Sequence, residues 1–481
     1  MYKLSRREFL HVGSLAAAGA VLAACAPQTP APTQEPAADA TEATDVPEAA
    51  EATEAPEAEP TDVPAEAEGT LIRYWAGWGG AGFLAAWETI QQSDGFKEAL
   101  GNNTFEMKDA IEGEAMLTAI AGGDPPEGGG NIQYMDFMAR DVLLPIDDLV
   151  AASSIVKEDV FIPGNWSLCF YNGAMYGVPA IEGFLRFALN YNTRLVEEAG
   201  LDPDSPPETW DETYDWHVAL TKFDAAGNAQ QIGLNPYGAM GEGFWYSDGW
   251  MVPTSWGWQW FDEESKTFDL NNEKLVDAFA TQKRFIDYVG VDNLAAMYSV
   301  EGRDTWGGAF NAEVESMIIE GYWHPGETAN EKPEVAEFNR ATWLPVPEIR
   351  RGVKPQGAAG HMVVFFKGSE NPEGMFRISE FLQSALACDA FWHNLGWLPS
   401  VLAYYDSVDP NEYPGLEFYF QSAQEATEWY YPARCEITDF ASTEYLNIKD
   451  LVNRDEMTPE QAAEEMQQRC EAEYEAAGFA S

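Results

Sequence analysis

The stretch from Asn172 to Asn192 constrains the fold more than any other part of the sequence, because a tight turn leads into a long apolar run. Asn172-Gly173 is a strong turn dipeptide, and Tyr176 to Ala180 favours a β-strand. Residues 184–189 are apolar at nearly every position. This pattern predicts a long strand that is covered on both faces, as in sheets flanked by helices.

Glu182 stands inside this predicted strand. Burying an isolated carboxylate costs several kcal/mol, so such a side chain must be paired, hydrated or presented to a cleft. The sequence leaves these alternatives open.

The first 25 residues have the pattern of an export signal. Arg6 and Arg7 precede an apolar run over residues 12–24 that is too short to span a bilayer. Residues 5–10 resemble a twin-arginine motif, and Leu22-Ala-Ala-Cys25 resembles a lipobox. We therefore expect a twin-arginine lipoprotein signal peptide over residues 1–25 with lipidation at Cys25; the alternative is a chance basic and apolar N-terminus.

Residues 26–69 consist mostly of Ala, Pro, Thr, Glu and Asp, with no aromatic residue and no Lys or Arg. Such a segment cannot bury apolar surface, so it is predicted to be a disordered acidic tether. The whole chain of 481 residues has a formal net charge of −53. This charge argues against a nucleic-acid partner and against direct binding to an anionic membrane, so the membrane is reached only through the lipid anchor. A soluble surface in a salty setting explains the acidity better than a calcium store, because no calcium-loop motif is present.

The remaining sequence gives no sign of a metal or a cofactor. After Cys25 the other cysteines are widely separated, without a Cys-x-x-Cys pair, and they allow several disulfide pairings. The histidines lack zinc-site spacing, and the glycines after the first predicted strand lack dinucleotide-binding spacing.

The globular part opens as an α/β protein. Residues 71–76 read as a strand, followed by a Gly-rich loop that contains Trp78 and by a helix near residues 84–90. A further strand is predicted over residues 131–135, with Asp136 at its end. Ligands of open α/β sheets lie beyond the carboxyl ends of strands, so Asp136 is either a ligand contact or the N-cap of the next helix.

Several segments resemble the extracellular solute-binding proteins of carbohydrate ABC importers, the maltose-binding-protein-like group. They are Tyr176-Gly-Val-Pro179 followed by Tyr191-Asn192, Pro206-Pro-Glu-Thr-Trp-Asp-Glu212, the segment from Glu315 to Trp323, and Gly396-Trp-Leu-Pro-Ser400. The resemblance runs from about residue 70 to residue 479. It implies a two-lobed periplasmic-binding-protein-like fold with a hinge and a ligand cleft, in which residues 70–182 and 344–395 form lobe 1 and residues 183–343 and 396–481 form lobe 2.

The resemblance also implies ligand contacts. In the family, the loop after the first strand, a carboxylate after the Pro of the crossing strand, and the Trp of the Gly-x-Trp segment face the sugar. The matching residues are Trp78, Glu182 and Trp323. Trp397 in the Gly-x-x-Pro segment and His361 are further candidates, although an exposed or otherwise satisfied histidine is the alternative for His361.

The segment 244–261 holds five tryptophans among Gly, Ser and Pro. Tryptophan offers a flat apolar face to a sugar ring and an N–H donor at its edge. Trp245 and Trp256 are the candidates here, with core packing as the alternative for any one of them; at least one of the five is expected to meet the ligand. For Trp210 we expect core packing instead.

These features predict an exported, lipid-anchored, non-enzymatic and monomeric binding protein. It would capture a sugar or oligosaccharide by hinge closure and deliver it to the permease of an ABC transporter, without a cofactor. The alternative is a secreted glycoside hydrolase with paired carboxylates, although no spacing singles out such a pair.

Overall fold

A computed structural model describes residues 69–236, 251–297 and 306–480. The described residues all belong to one compact unit. The predicted signal peptide, the tether, Cys25 and Trp245 lie outside the described residues.

The strands and helices of the described residues alternate along most of the chain. The strands are β1 (Leu71–Ala76), β2 (Thr104–Lys108), β3 (Gly128–Gly130), β4 (Phe170–Tyr171), β5 (Ala174–Met175), β6 (Gly177–Leu185), β7 (Ala188–Asn192), β8 (Lys222–Phe223), β9 (Ala229–Leu234), β10 (Phe261–Asp262), β11 (Thr267–Phe268), β12 (Glu315–Glu320), β13 (Asn339–Thr342), β14 (Pro355–Phe365) and β15 (Glu428–Tyr430). The helices are α1 (Ala81–Gln92), α2 (Asp94–Leu100), α3 (Gly113–Ala121), α4 (Tyr134–Ala139), α5 (Asp147–Ala152), α6 (Pro163–Leu168), α7 (Thr193–Glu198), α8 (Trp210–Leu220), α9 (Met251–Thr254), α10 (Glu273–Val289), α11 (Val291–Met297), α12 (Gly308–Asn311), α13 (Trp323–Glu331), α14 (Pro333–Ala336), α15 (Pro372–Phe381), α16 (Ala385–Leu395), α17 (Leu416–Glu425), α18 (Thr438–Asn453) and α19 (Pro459–Ala476).

The first sheet has the strand order β15-β14-β3-β1-β2, and β6 also pairs with β14. Strand β1 runs parallel to β2 and β3, whereas β14 runs antiparallel to β3 and β6. The apolar residues of this sheet and of helices such as α1, α15 and α16 form one large core. Trp78 follows the carboxyl end of β1 and belongs to the same core.

The position of β3 corrects a sequence-based prediction. The third strand is Gly128–Gly130, not residues 131–135, and Asp136 lies in the first turn of helix α4 rather than at a strand end. The three glycines allow neighbouring side chains to reach the strand: a Cβ at Gly128 would lie 2.7 Å from Met375 Cγ, and one at Gly130 would lie 2.4 Å from the Tyr74 hydroxyl. A run of glycine carries no β-propensity, which is why the sequence pattern misplaced the strand.

The second sheet has the order β13-β7-β12-β9-β8. Strand β7 is antiparallel to β12 and β13, and β12 is parallel to β9. Helix α8 begins with the predicted capping box, in which Thr209 accepts from the backbone N–H of Glu212 and the Glu212 carboxylate accepts in return. Helices α10, α18 and α19 enclose a second apolar core.

One long run of strand passes from the first sheet to the second. The predicted long strand is confirmed as β6 and β7, which are separated only by Arg186 and Phe187. The turn at Asn172-Gly173 is also present, with φ of 49° and 83°. Strand β14 is buried along all of its residues and pairs with β6 from Ala358 to Val364. The paired strands β6 and β14, here called the β6–β14 ribbon, therefore lie next to the point where the chain passes from the first sheet to the second.

The four cysteines after Cys25, which are Cys169, Cys388, Cys435 and Cys470, are buried and form no disulfide. No helix within the described ranges has the length and apolar character of a membrane span. In the same part of the chain, no His, Cys, Asp or Glu cluster has the arrangement of a metal site.

Candidate functional site

The β6–β14 ribbon is irregular at its centre. Gly360 pairs with Gly183 and Met362 pairs with Pro179, so the three residues Ala180–Glu182 face the single residue His361. Such a bulge bends a strand and redirects side chains. Here it brings the Glu182 carboxylate to 3.3 Å from His361 Nε2.

Glycine is required on both strands at one end of this bulge. Gly183 has φ of 148°, and a Cβ at Gly183 or Gly360 would lie 2.4 or 1.8 Å from Nδ2 of Asn165. Asn165 belongs to helix α6, which packs on the ribbon. The irregular pairing and the packed amide together hold the side chains of Glu182 and His361 close to each other.

Glu182 is 3% exposed and paired. Nη1 and Nη2 of Arg186 donate to its two oxygens over 3.2 and 3.3 Å, and the Tyr322 hydroxyl donates to Oε1 over 3.0 Å. Of the alternatives that the sequence left open for this carboxylate, pairing is the one observed. A buried pair of this kind needs both partners, because either charge alone is strongly destabilising.

Arg186 also contacts the aromatic candidate on the second sheet. Its guanidinium carbon lies 4.8 Å from the ring centroid of Trp323, which is a cation–π contact. Trp323 in turn donates its indole N–H to Glu320 Oε2 over 2.7 Å. The Trp323 ring is thus held at its edge and on one face.

Trp78, His361 and Trp397 form an aromatic group on the first-sheet side. The ring centroid of Trp78 lies 4.7 Å from that of His361 and 5.3 Å from that of Trp397. The Tyr134 hydroxyl lies 3.2 Å from His361 Nδ1 and donates to the Met362 carbonyl over 3.1 Å. Trp78, Glu182, Trp323, His361 and Trp397 therefore form one connected cluster.

Buried ionisable groups around this cluster have shifted pKa values. Burial raises the pKa of Glu327 well above its usual range, and the charges of Glu320, Glu331 and Glu182 add to the shift. Burial likewise raises the pKa of Tyr322. Burial lowers the pKa of His324 to about 3. Burial therefore disfavours the charged form of both the Glu327 carboxyl and the His324 ring.

Asp136 lies in the first turn of helix α4. It accepts from Arg140 Nε over 2.8 Å, one helical turn along α4. Helix α18 packs against α4, and burial, followed by the charge of Asp136, raises the pKa of Asp439 on α18. Asp136 is therefore not the N-cap of its helix, and its charge acts on the carboxyl group of Asp439 on helix α18.

Trp256 packs in the core of the second sheet, which is the alternative that the sequence gave for it. It is 5% exposed and stacks on Trp210 at a centroid distance of 5.7 Å, within the core of the second sheet. Trp210 is core, as predicted. Trp260 instead lines a narrow pocket beside Arg186, together with Phe187 and Tyr430.

Sequence reasoning missed five residues that contact the cluster: Tyr134, Arg186, Glu320, Tyr322 and Glu327. Arg186 carried a usable signal, because a second charge four residues after Glu182 in an apolar run suggests a pair. The others come together only through the pairing of distant strands.

The fold is that of a two-lobed α/β binding protein. The family model for bacterial extracellular solute-binding proteins matches residues 102–387, so the chain belongs to that family, which is one of binding proteins and not of enzymes.

Solved structures agree with this fold. CpMnBP1 with mannobiose bound is 19% identical, with a TM-score of 0.72 over 83% of this chain and 99% of that chain. An ABC substrate-binding protein from Listeria monocytogenes in complex with cycloalternan is 18% identical, with a TM-score of 0.68 over 85% and 99%. A maltose/maltodextrin-binding domain from Bdellovibrio bacteriovorus bound to maltotriose is 16% identical, with a TM-score of 0.64 over 84% and 100%. No curated protein sequence matches the chain significantly.

Proposed function

We propose that this extracellular solute-binding protein captures a sugar or oligosaccharide between its lobes and delivers it to the permease of an ABC transporter. The observation that carries the proposal is the convergence of Trp78, His361 and Trp323 with Glu182 around the β6–β14 ribbon. Aromatic faces and hydrogen-bonding carboxylates suit a neutral polyhydroxylated ligand. The saccharides bound to structurally similar proteins support the same ligand class.

Hinge closure would couple binding to delivery. Trp78 follows a strand of the first sheet, and Trp323 follows a strand of the second. A ligand that contacts both residues favours the closed form, because only closure provides both contacts. The closed complex would then dock on the permease as a monomer.

The proposed contacts are Trp78, Asp136, Glu182, Trp323 and His361. Glu182 would act with Arg186, since the pair is already formed. Trp245 remains a proposal from the sequence alone. The hydrolase alternative loses its basis, since the chain belongs to a family of binding proteins.

The test is calorimetric titration of the chain from residue 26 onward with a panel that includes mannobiose and maltotriose, followed by chromatography of the recovered ligand. Saturable binding with the sugar recovered intact is the expected result. Recovery of cleaved sugar would favour a hydrolase, and no heat with any saccharide would overturn the proposed ligand class.

We further propose that Cys25 is diacylated after export and that residues 26–69 separate the lobes from the membrane. An apolar leader with twin arginines and a lipobox supports this. Fractionation of cells that express the full chain should place it on the membrane. The Cys25→Ser variant should appear in the soluble extracytoplasmic fraction; if it stays on the membrane, the anchor proposal is wrong.

A further inference from the structure

The start of helix α13 meets the end of helix α16 at two glycines. A Cβ at Gly326 would lie 2.4 Å from the Cα of Gly396, and a Cβ at Gly396 would lie 2.3 Å from the Cα of Gly326. Gly396 also ends α16 in the left-handed conformation, with φ of 72°. Both positions therefore need glycine, and the backbones approach more closely than side chains would permit.

This close approach brings Glu327 to Trp397. The Trp397 indole N–H donates to Glu327 Oε1 over 2.8 Å, and both side chains are almost completely buried. Glu327 belongs to a helix that follows a strand of the second sheet, whereas Trp397 follows a helix that packs on the first sheet. The hydrogen bond thus connects parts of the chain that belong to different sheets.

The Trp397 ring supports a proposed ligand contact. It packs parallel to Phe391, with an interplanar angle of 8°, and its centroid lies 5.3 Å from that of Trp78. Trp78 in turn lies edge-on to His361. Trp397 contacts Trp78 through its ring and is held by Glu327 at its indole N–H, so its position suits a support for Trp78.

We propose that Glu327 is a positioning residue that fixes the plane of Trp397, and through it the position of Trp78, and so determines how tightly the closed cleft holds its ligand. This inference rests on the proposed function. A glutamine at position 327 keeps a carbonyl oxygen for the indole N–H, whereas a leucine removes it. Phenylalanine at position 397 keeps an aromatic ring but removes the donor.

The first readout needs no ligand. In protein with ¹⁵N-labelled tryptophan, the Trp78 and Trp397 indole N–H resonances are assigned from the Trp78→Phe and Trp397→Phe variants. Glu327→Leu should move both resonances and speed the exchange of the Trp397 indole proton, and Glu327→Gln should leave Trp78 near its wild-type position. If Glu327→Leu leaves the Trp78 resonance in place, the positioning role is wrong, whatever the protein binds.

The second readout is affinity for mannobiose and maltotriose. Glu327→Leu should weaken binding about tenfold, because the Trp78 ring would then have to be ordered when the ligand binds, and Glu327→Gln should restore the affinity. In the Trp397→Phe background, Glu327→Leu should cost little more, because the donor is already absent. A lower melting temperature with unchanged affinity in Glu327→Leu would show a purely structural role and overturn the inference.

The chain offers a matched control in the Trp392–Glu412 pair, where the indole N–H donates to Glu412 Oε2 over 3.0 Å. Glu412→Leu should change neither the affinity nor the Trp78 resonance. If wild-type protein binds no saccharide, the proposed function fails, and the resonance measurements still decide the positioning role separately.

Discussion

Two groups of buried tryptophans differ in what their indole N–H groups contact. In the cluster that contains Glu182 and His361, Trp323 and Trp397 donate to carboxyl oxygens of Glu320 and Glu327. In the core of the second sheet, Trp210 donates to the hydroxyl of Ser255 over 2.9 Å. Its ring neighbours are apolar or aromatic, as in an ordinary protein interior.

Burial alone does not separate the two groups, because Trp256 is 5% exposed and Trp323 is 8% exposed. The distinction lies in the neighbouring charges: Arg186 covers the Trp323 ring, whereas Trp210 stacks on Trp256. A buried aromatic residue among charged groups that are themselves paired is therefore a better mark of the candidate site than aromatic density along the sequence.

The largest expected effect on stability within the cluster follows from removing a charge. Arg186→Met leaves Glu182 buried without its main partner, so the free energy of unfolding should fall by about 4 kcal/mol. Denaturant unfolding measures the loss, and the double variant Glu182→Leu with Arg186→Met should recover most of it. The exposed ion pair of Lys367 with Asp141 is the control, since Lys367→Met should cost less than about 1 kcal/mol.

A core substitution of similar size tests the other group. Trp256→Ala removes a large buried ring and should lower the free energy of unfolding by about 4 kcal/mol. Saccharide affinity of the folded protein should not change, because the ring lies in the core of the second sheet. A large loss of affinity without a loss of stability would instead place Trp256 in the site.

The pH dependence of stability should show the buried core histidine. Burial lowers the pKa of His217 to about 4, so the folded protein holds the ring neutral while the unfolded chain protonates it below about pH 6.5. Its contribution is complete above pH 6.5 and is lost as the pH falls toward 4, by about 3 kcal/mol in total. His324 has the same sign, with a pKa of about 3. The free energy of unfolding of His217→Gln, measured between pH 4 and 7, should therefore depend less steeply on pH than that of the wild type. An unchanged slope would contradict the assignment.

Removing the proposed stacking residue should act on binding. Trp323→Ala should weaken saccharide binding by about 2 kcal/mol, the size typical of an interface hot spot. Calorimetry measures this loss, with Trp256→Ala as the comparison. Equal affinities of the two variants would remove the distinction between the tryptophan groups.

The smallest expected effect is local. Thr209→Ala removes the N-cap of helix α8 and should cost about 1 kcal/mol of stability. Binding should not change, because this helix lies in the second sheet's layer. Thr458→Ala at the capping box of α19 is the matched variant and should behave alike in thermal unfolding.

The sequence predicted elements whose signals are local. The turn at Asn172-Gly173, the strand over residues 71–76 and the two ends of the crossing strand needed only neighbouring residues, as did the Thr209 capping box. It failed at β3, where glycines are selected by the side chains of Met375 and Phe366 from distant parts of the chain. For the candidate site, residue types were found, but not their partners.

The sequence by itself determined the α/β class, the crossing strand and the presence of a carboxylate within it, because periodicity and turn chemistry act over a few residues. Only the tertiary structure decided what that carboxylate does. The irregular pairing of β6 with β14 brings His361 to Glu182, and the second sheet supplies Tyr322. Contacts between residues more than a hundred positions apart depend on strand register and close packing, which no local pattern encodes.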